Sequence, residues 1–218
     1  FPIPAWHPNG RILAFLTEEK GFLWLNFYDT QKKKTETKEF FKFDKVLSME
    51  YSPDGKQLLM SAVKNGQSDI FLYTILNTQV EPITDDIYDD LDAHFIQGDK
   101  RIAFRSNRNN TLLEKANKKK LAIPSVNPNF DLFIANRTGR NQKELWRLSH
   151  SPDLDEQNIN VLNSSQITYT SNRDGFHNTF LIEIDSNIAY VDTTVHYDYT
   201  FSHYQVTRRE ENTLHQVI

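Results

Sequence analysis

The chain contains no cysteine, which excludes disulfides, thiolate nucleophiles and cysteine-ligated zinc. It has no apolar run near the roughly 18 residues of a membrane helix, so no direct membrane span is expected. It has no excess of positive charge. Lys and Arg number 25 against 29 Asp and Glu, a net charge of −4, so nucleic acid is not an expected partner. No G-x-S-x-G nucleophile elbow, P-loop, G-x-G-x-x-G fingerprint or H-E-x-x-H helix occurs. No enzyme is therefore expected in this chain itself, and no cofactor beyond a calcium candidate considered below. The first residues, FPIPAWHPNG, carry neither a Met start nor a signal-peptide pattern and are expected to belong to a processed or trimmed piece of something longer. The hydrophobic share of 38% is low for a globular domain and suits an all-β repeat with many solvated turns.

What is present is aromatic and periodic. There are 15 Phe, 9 Tyr and 3 Trp, residues that favour pleated surfaces. The stretch from Ser48 to Asp86 reads as four short apolar runs separated by Pro53-Asp54-Gly55, Lys64-Asn65-Gly66-Gln67 and Asn77-Thr78. Short runs bounded by Gly, Pro, Asn and Asp are strand signals. The unit recurs. Arg11–Phe15 follows Gly10, Lys56–Met60 follows Gly55, and Lys100–Phe104 follows Gly98-Asp99. The spacing is 45 from Gly10 to Gly55 and 44 from Met60 to Phe104, and an aromatic recurs at matching places, Trp6, Tyr51 and Phe95. A fourth copy, Gln166–Arg173, matches Arg101–Arg108 at an offset of 65, with Asp155 matching Asp90. Four strands recurring every 40–45 residues or so are the mark of propeller blades. The expected architecture is an all-β propeller of four-stranded antiparallel blades, about four of them visible, in a larger six- to eight-bladed ring. Blades are placed at about 1–45, 46–88, 89–154 and 155–201, within a propeller portion 1–185. An insert at 109–129 is expected to project as a loop, and 186–218 holds a final long strand (the period-2 alternation from Val191 to Ser202, expected to leave the blade) and a linker or tail. Leu58, Met60, Ile70, Leu72, Ile102, Phe104, Phe133 and Ile167 are the expected core.

The stretch SPDGKQLLMSAVKNGQSDIFLYTILNTQVEPITDD resembles the TolB-type, WD40-like propeller repeat: an aromatic, SPDGK, an apolar strand, an Asn/Gly turn, Asp-Ile-Phe, and a closing Ile-Thr. Shorter forms stand at HPNGR, FIQGDKRIAFRSNR and NSSQITYTSNRDG, so the resemblance covers about residues 4–185. It implies a non-catalytic scaffold that binds proteins in a bacterial envelope, periplasmic, with envelope or outer-membrane partners; the YDDLD linker is similar to Bacteroidetes-type envelope propellers. The alternative is the propeller of a larger enzyme, either a prolyl-oligopeptidase-type peptidase or a metal-assisted polysaccharide lyase, with the catalytic domain outside this chain.

Candidate sites are few. Asp85, Asp86, Asp89, Asp90 and Asp92 put five carboxylates in eight residues, a composition that suits Ca²⁺, although inter-blade capping is the simpler use. His7 and His94 fall near first strands, which face the ring axis in propellers. Lys115, Lys118, Lys119 and Lys120 in the insert would suit an acidic partner. The repeated Ser-Asn-Arg at 106–108 and 171–173 is expected to pair its Arg with a neighbouring blade's Asp.

Overall fold

The computed structural model describes residues 3–96, 98, 100–111, 113, 126–137, 145–151, 153–193 and 195–209. Among these residues there is no helix, and hence none long and apolar enough to cross a membrane. Sixteen strands form four sheets of four, each antiparallel and in sequence order. The first sheet holds β1 (Ala5–Trp6), β2 (Ile12–Glu19), β3 (Phe22–Asp29) and β4 (Lys34–Glu39). The second holds β5 (Lys45–Tyr51), β6 (Gln57–Lys64), β7 (Gln67–Thr74) and β8 (Gln79–Pro82). The third holds β9 (Asp90–Ile96), β10 (Arg101–Ser106), β11 (Asp131–Asn136) and β12 (Leu145–Arg147). The fourth holds β13 (Gln157–Asn163), β14 (Gln166–Ser171), β15 (Asn178–Val191) and β16 (Val195–Gln205).

Neighbouring sheets pack through their first strands, β1 on β5, β5 on β9 and β9 on β13, so these strands line the axis of an arc. The fourth sheet does not close onto the first among the described residues, which is the form of part of a larger propeller.

The inner sheets are apolar on both faces, and the period-2 alternation of a strand divides each run between two cores. In β6, Leu58, Met60 and Ala62 pack toward the first sheet and Leu59 toward the third. In β11, Phe133 and Ala135 pack toward the second sheet and Leu132 and Ile134 toward the fourth. All eight expected core residues are buried. The turn glycines Gly10 and Gly55 stand at φ of +68° and +72°, where a side chain is strained. A Cβ on Gly55 would also lie 2.2 Å from the His7 ring, so the turn lets the second sheet approach the first.

The Asp-Ile-Phe and Ile-Thr parts of the repeat have a joint purpose. Asp69 is the third residue of β7, and its carboxylate accepts the Thr84 hydroxyl at 3.1 Å while the Ile70 amide donates to Thr84 Oγ1 at 2.9 Å. Asp131 opens β11 and is met the same way by Ser149 at 3.0 Å, with the Leu132 amide at 2.9 Å. The pair locks the linker that leaves each blade onto its third strand.

Three expectations change. The alternating run from Val191 to Ser202 is not one strand: Val191 ends β15 and the chain turns back into β16, which pairs with β15 rather than leaving the blade. Residues 112 and 114–125, where the expected projecting loop falls, lie outside the described residues, while the insert's first described residues lie against the blade. The Leu145 amide donates to Thr111 O at 3.1 Å, which places them along the outer edge of β12, and Leu113 packs on the core. Finally, Trp6 does not match the buried Tyr51 and Phe95 of the next two repeats; it is 57% exposed.

Candidate functional site

The strand registers set one level of the axial face. Ala5 stands opposite Ala14, Glu50 opposite Leu59, His94 opposite Ala103 and Asn160 opposite Thr168, so these four are counterparts on β1, β5, β9 and β13. Glu50 and His94 are one repeat apart, and their side chains meet across the blade boundary, His94 Nδ1 to Glu50 Oε2 at 2.8 Å. Asp92 approaches from the other side. It sits in the register shift where β9 slips against β10, with φ at +58°, a left-handed conformation uncommon outside Gly. The bulge turns its carboxylate into the site, where Oδ1 lies 3.8 Å from His94 Nε2 and Oδ2 lies 3.9 Å from Arg105 Nε. The Ile159 amide of β13 donates to Asp92 Oδ2 at 3.3 Å, so the set spans three blades. Asn158 occupies the same kind of register shift in β13, with φ at +51°.

Burial opposes a charged ring at His94, but hydrogen bonds and charge from Asp92 and Glu50 outweigh it and push the imidazolium up to about 9. Burial likewise opposes the charge on Asp92, and His94, Arg105 and the Ile159 amide outweigh it, holding the carboxyl below its ordinary value. Two cations face two anions, with side chains 22–36% exposed. A charged imidazole between two carboxylates is not a free base at neutral pH. The set can donate and accept hydrogen bonds and hold charge.

The acidic linker is divided rather than gathered. Asp85 is exposed. Asp89 accepts from the Ser68 hydroxyl at 2.5 Å. Asp92 belongs to the axial set. Only Asp86 and Asp90 come together, joined by Asp69, which the sequence reading did not include. The buried guanidinium of Arg108 is the cation for two of them, Asp86 and Asp90. Its Nη2 donates to both oxygens of Asp90, at 2.7 and 2.6 Å, and its Nη1 lies 3.1 Å from Asp86. Its Nε donates to Ser106 Oγ at 2.8 Å. Burial, reinforced by Asp90, pushes the Asp69 carboxyl up to about 7. Burial also raises Asp90 to about 6 against the pull of Arg108.

Arg108 thus pairs both with Asp90 on its own blade's first strand and, as expected, with an Asp of the neighbouring unit, Asp86 in the linker that leaves the second blade. The fourth sheet repeats the device with Arg173 and the buried Glu156 at 3.6 Å. Glu156, not Asp155, is the counterpart of Asp90; Asp155 accepts the Phe130 amide at 3.1 Å. His7 packs edge-on against Tyr51, ring centroids 4.9 Å apart, and serves the joint between the first two sheets. Lys115, Lys118, Lys119 and Lys120 lie outside the described residues. Of the axial set, the sequence reading held His94 and Asp92 but missed Glu50 and Arg105. The 44-residue spacing to His94 was the available signal for Glu50.

No protein-family model matches the chain, and no curated protein sequence does. Solved structures share its fold. A protein described as TolB from Agrobacterium tumefaciens is 16% identical over 84% of this chain and 57% of its own, with a TM-score of 0.59. Prolyl oligopeptidase B from Galerina marginata, bound to a 35mer hydrolysis and macrocyclization substrate, is 10% identical over 96% of this chain and 32% of its own, with a TM-score of 0.60. A puromycin hydrolase is 11% identical over 84% and 27%, with a TM-score of 0.59. The chain therefore has a TolB-like propeller fold and spans little more than half of the TolB protein and a third or less of the two hydrolases.

Proposed function

We propose that this chain is a non-catalytic propeller scaffold that binds another protein through its axial face, in a bacterial envelope assembly on the periplasmic side. The observation that carries this reading is the balanced set of Glu50, His94, Asp92 and Arg105. It is partly exposed on the axis, bridges two blades, and offers donors and acceptors. The envelope placement rests on the TolB-type resemblance of the repeat. The test is a retention experiment with the immobilised chain and periplasmic extract, comparing the parent with Glu50→Gln and His94→Ala. A protein retained by the parent and lost from both variants supports the axial face. Equal retention by all three, or none by any, overturns it.

A second reading is the propeller of a larger peptidase. It is favoured by the match to the oligopeptidase from Galerina marginata over 96% of this chain. A hydrolase domain in the same polypeptide, found by sequencing the complete gene, decides for it. The metal-assisted lyase has less support. Among the described residues the one gathered set of ligand atoms is Asp69, Asp86 and Asp90, which already faces Arg108.

A further inference from the structure

The outermost strand of each sheet has a free edge of main-chain groups, and such edges are normally blunted. Three of the four are. β4, KTETKE, is short and densely charged. β8 has four residues and ends in Pro82. β12 has three, and its edge meets Thr111. β16 has none of these devices. It runs for 11 residues, VHYDYTFSHYQ, with no Lys, Arg or Pro, and no strand lies beyond it among the described residues.

The β15–β16 hairpin also carries an apolar face past the body of the blade. Ile184 opposite Phe201 and Ser186 opposite Tyr199 share the face that packs toward the third sheet. Trp146 covers Tyr199, ring centroids 5.4 Å apart. Farther out, Ile188 opposite Tyr197 and Val191 opposite Val195 continue the face, at 62, 48, 64 and 44% exposure. The other face is mostly polar, with Asp198 opposite Asn187 and Thr200 opposite Asp185, and it also carries Tyr190 stacked on His196 at 4.1 Å and the exposed Tyr204. From Asn178 to Thr207 the sequence has Glu183, Asp185, Asp192 and Asp198 and not one Lys or Arg.

From these features we infer that β16 is a docking edge for an extended segment of another protein, added as a fifth strand, in which apolar residues alternate with Lys or Arg. Main-chain groups of β16 would pair with the added strand. Its apolar side chains would lie beside Val195, Tyr197 and Tyr199, and its cations beside His196, Asp198 and Thr200. Charge decides the occupant. A second copy of this hairpin would bring acidic strands together, and like charges across strands are unfavourable, whereas a basic strand is matched. This surface lies at the outer edge of the fourth sheet and does not depend on the axial reading.

The test uses two nine-residue peptides, one alternating Lys with Val and Tyr and the other with Glu in place of each Lys. Binding to the 218-residue chain is followed by titration calorimetry, and the β16 amides by hydrogen exchange. The Lys peptide should bind at least about tenfold more tightly than the Glu peptide, lose affinity as salt rises, and slow exchange along β16. Asp198→Lys and Tyr197→Lys should each abolish binding without moving the melting temperature, because both side chains are exposed. Equal affinity for the two peptides, or no slowing along β16, overturns the proposal. So does either rival occupant. A second copy would appear as a concentration-dependent doubling of mass with β16 already protected. The chain's own insert would appear as faster β16 exchange when residues 114–125 are replaced by Gly and Ser.

Discussion

In the second sheet Leu58, Leu59, Met60, Ile70, Phe71 and Leu72 are buried against neighbours on both sides, whereas in the outer hairpin of the fourth sheet Ile188, Tyr190, Val191 and Tyr197 stand in solvent. Both regions are antiparallel strands rich in apolar residues, so local propensity does not separate them. The difference is position. A residue of an inner blade has a sheet on each side, and either side of its strand becomes core. The hairpin beyond Asp185 has outrun the third sheet, and among the described residues nothing stands opposite the end of its apolar face. The same alternation therefore makes a core in one place and a surface in the other.

This contrast can be broken or sharpened by substitution. The largest effect is expected at Arg108→Ala, which leaves Asp86 and Asp90 buried without their cation. Urea unfolding should show a loss of about 3–5 kcal/mol. A loss under about 1 kcal/mol would mean that the inter-blade joint does not depend on this guanidinium.

Gly55→Ala comes next. It forces a side chain into a left-handed conformation and against His7, and should cost about 1–3 kcal/mol by the same measurement. His7→Ala in the same chain should recover the part due to contact and leave the part due to strain.

The axial set lies between core and surface and is read best by pH. The His94 value in the folded state, about 9, lies above its ordinary 6.5. Its contribution to stability is therefore complete below about 6.5 and disappears as pH rises through 9. An NMR titration of the His94 ring should show a midpoint near 9, moving toward 6.5 in Glu50→Gln. An ordinary midpoint in the parent protein would dissolve the set.

The smallest effect is expected at Ile188→Ser, within about 0.5 kcal/mol of the parent. A loss as large as that of a core substitution would place a partner over the hairpin.

Much of the fold was legible because it is local. The period of 44–45, the Gly10 and Gly55 turns and the short apolar runs identify blades, and the eight core residues expected from those runs are buried. The site was less legible because bulges and insertions shift the count. Asp92 turns toward His94 through a slip of one register position, and Glu156 replaces Asp155 as the partner of Arg173 for a similar reason. The pairing of Arg108 within its own blade required knowing that its fork lies over Asp90, a matter of side-chain direction and not of spacing.

By itself the sequence determined that this chain is a run of four-stranded β units, because turn chemistry and hydrophobic period act over a few residues and need no partner. Only the tertiary structure decided which carboxylates meet His94, which charges share Arg108, and where an apolar strand face runs out of neighbours. Those outcomes depend on where blades stop, and burial is a property of what lies opposite.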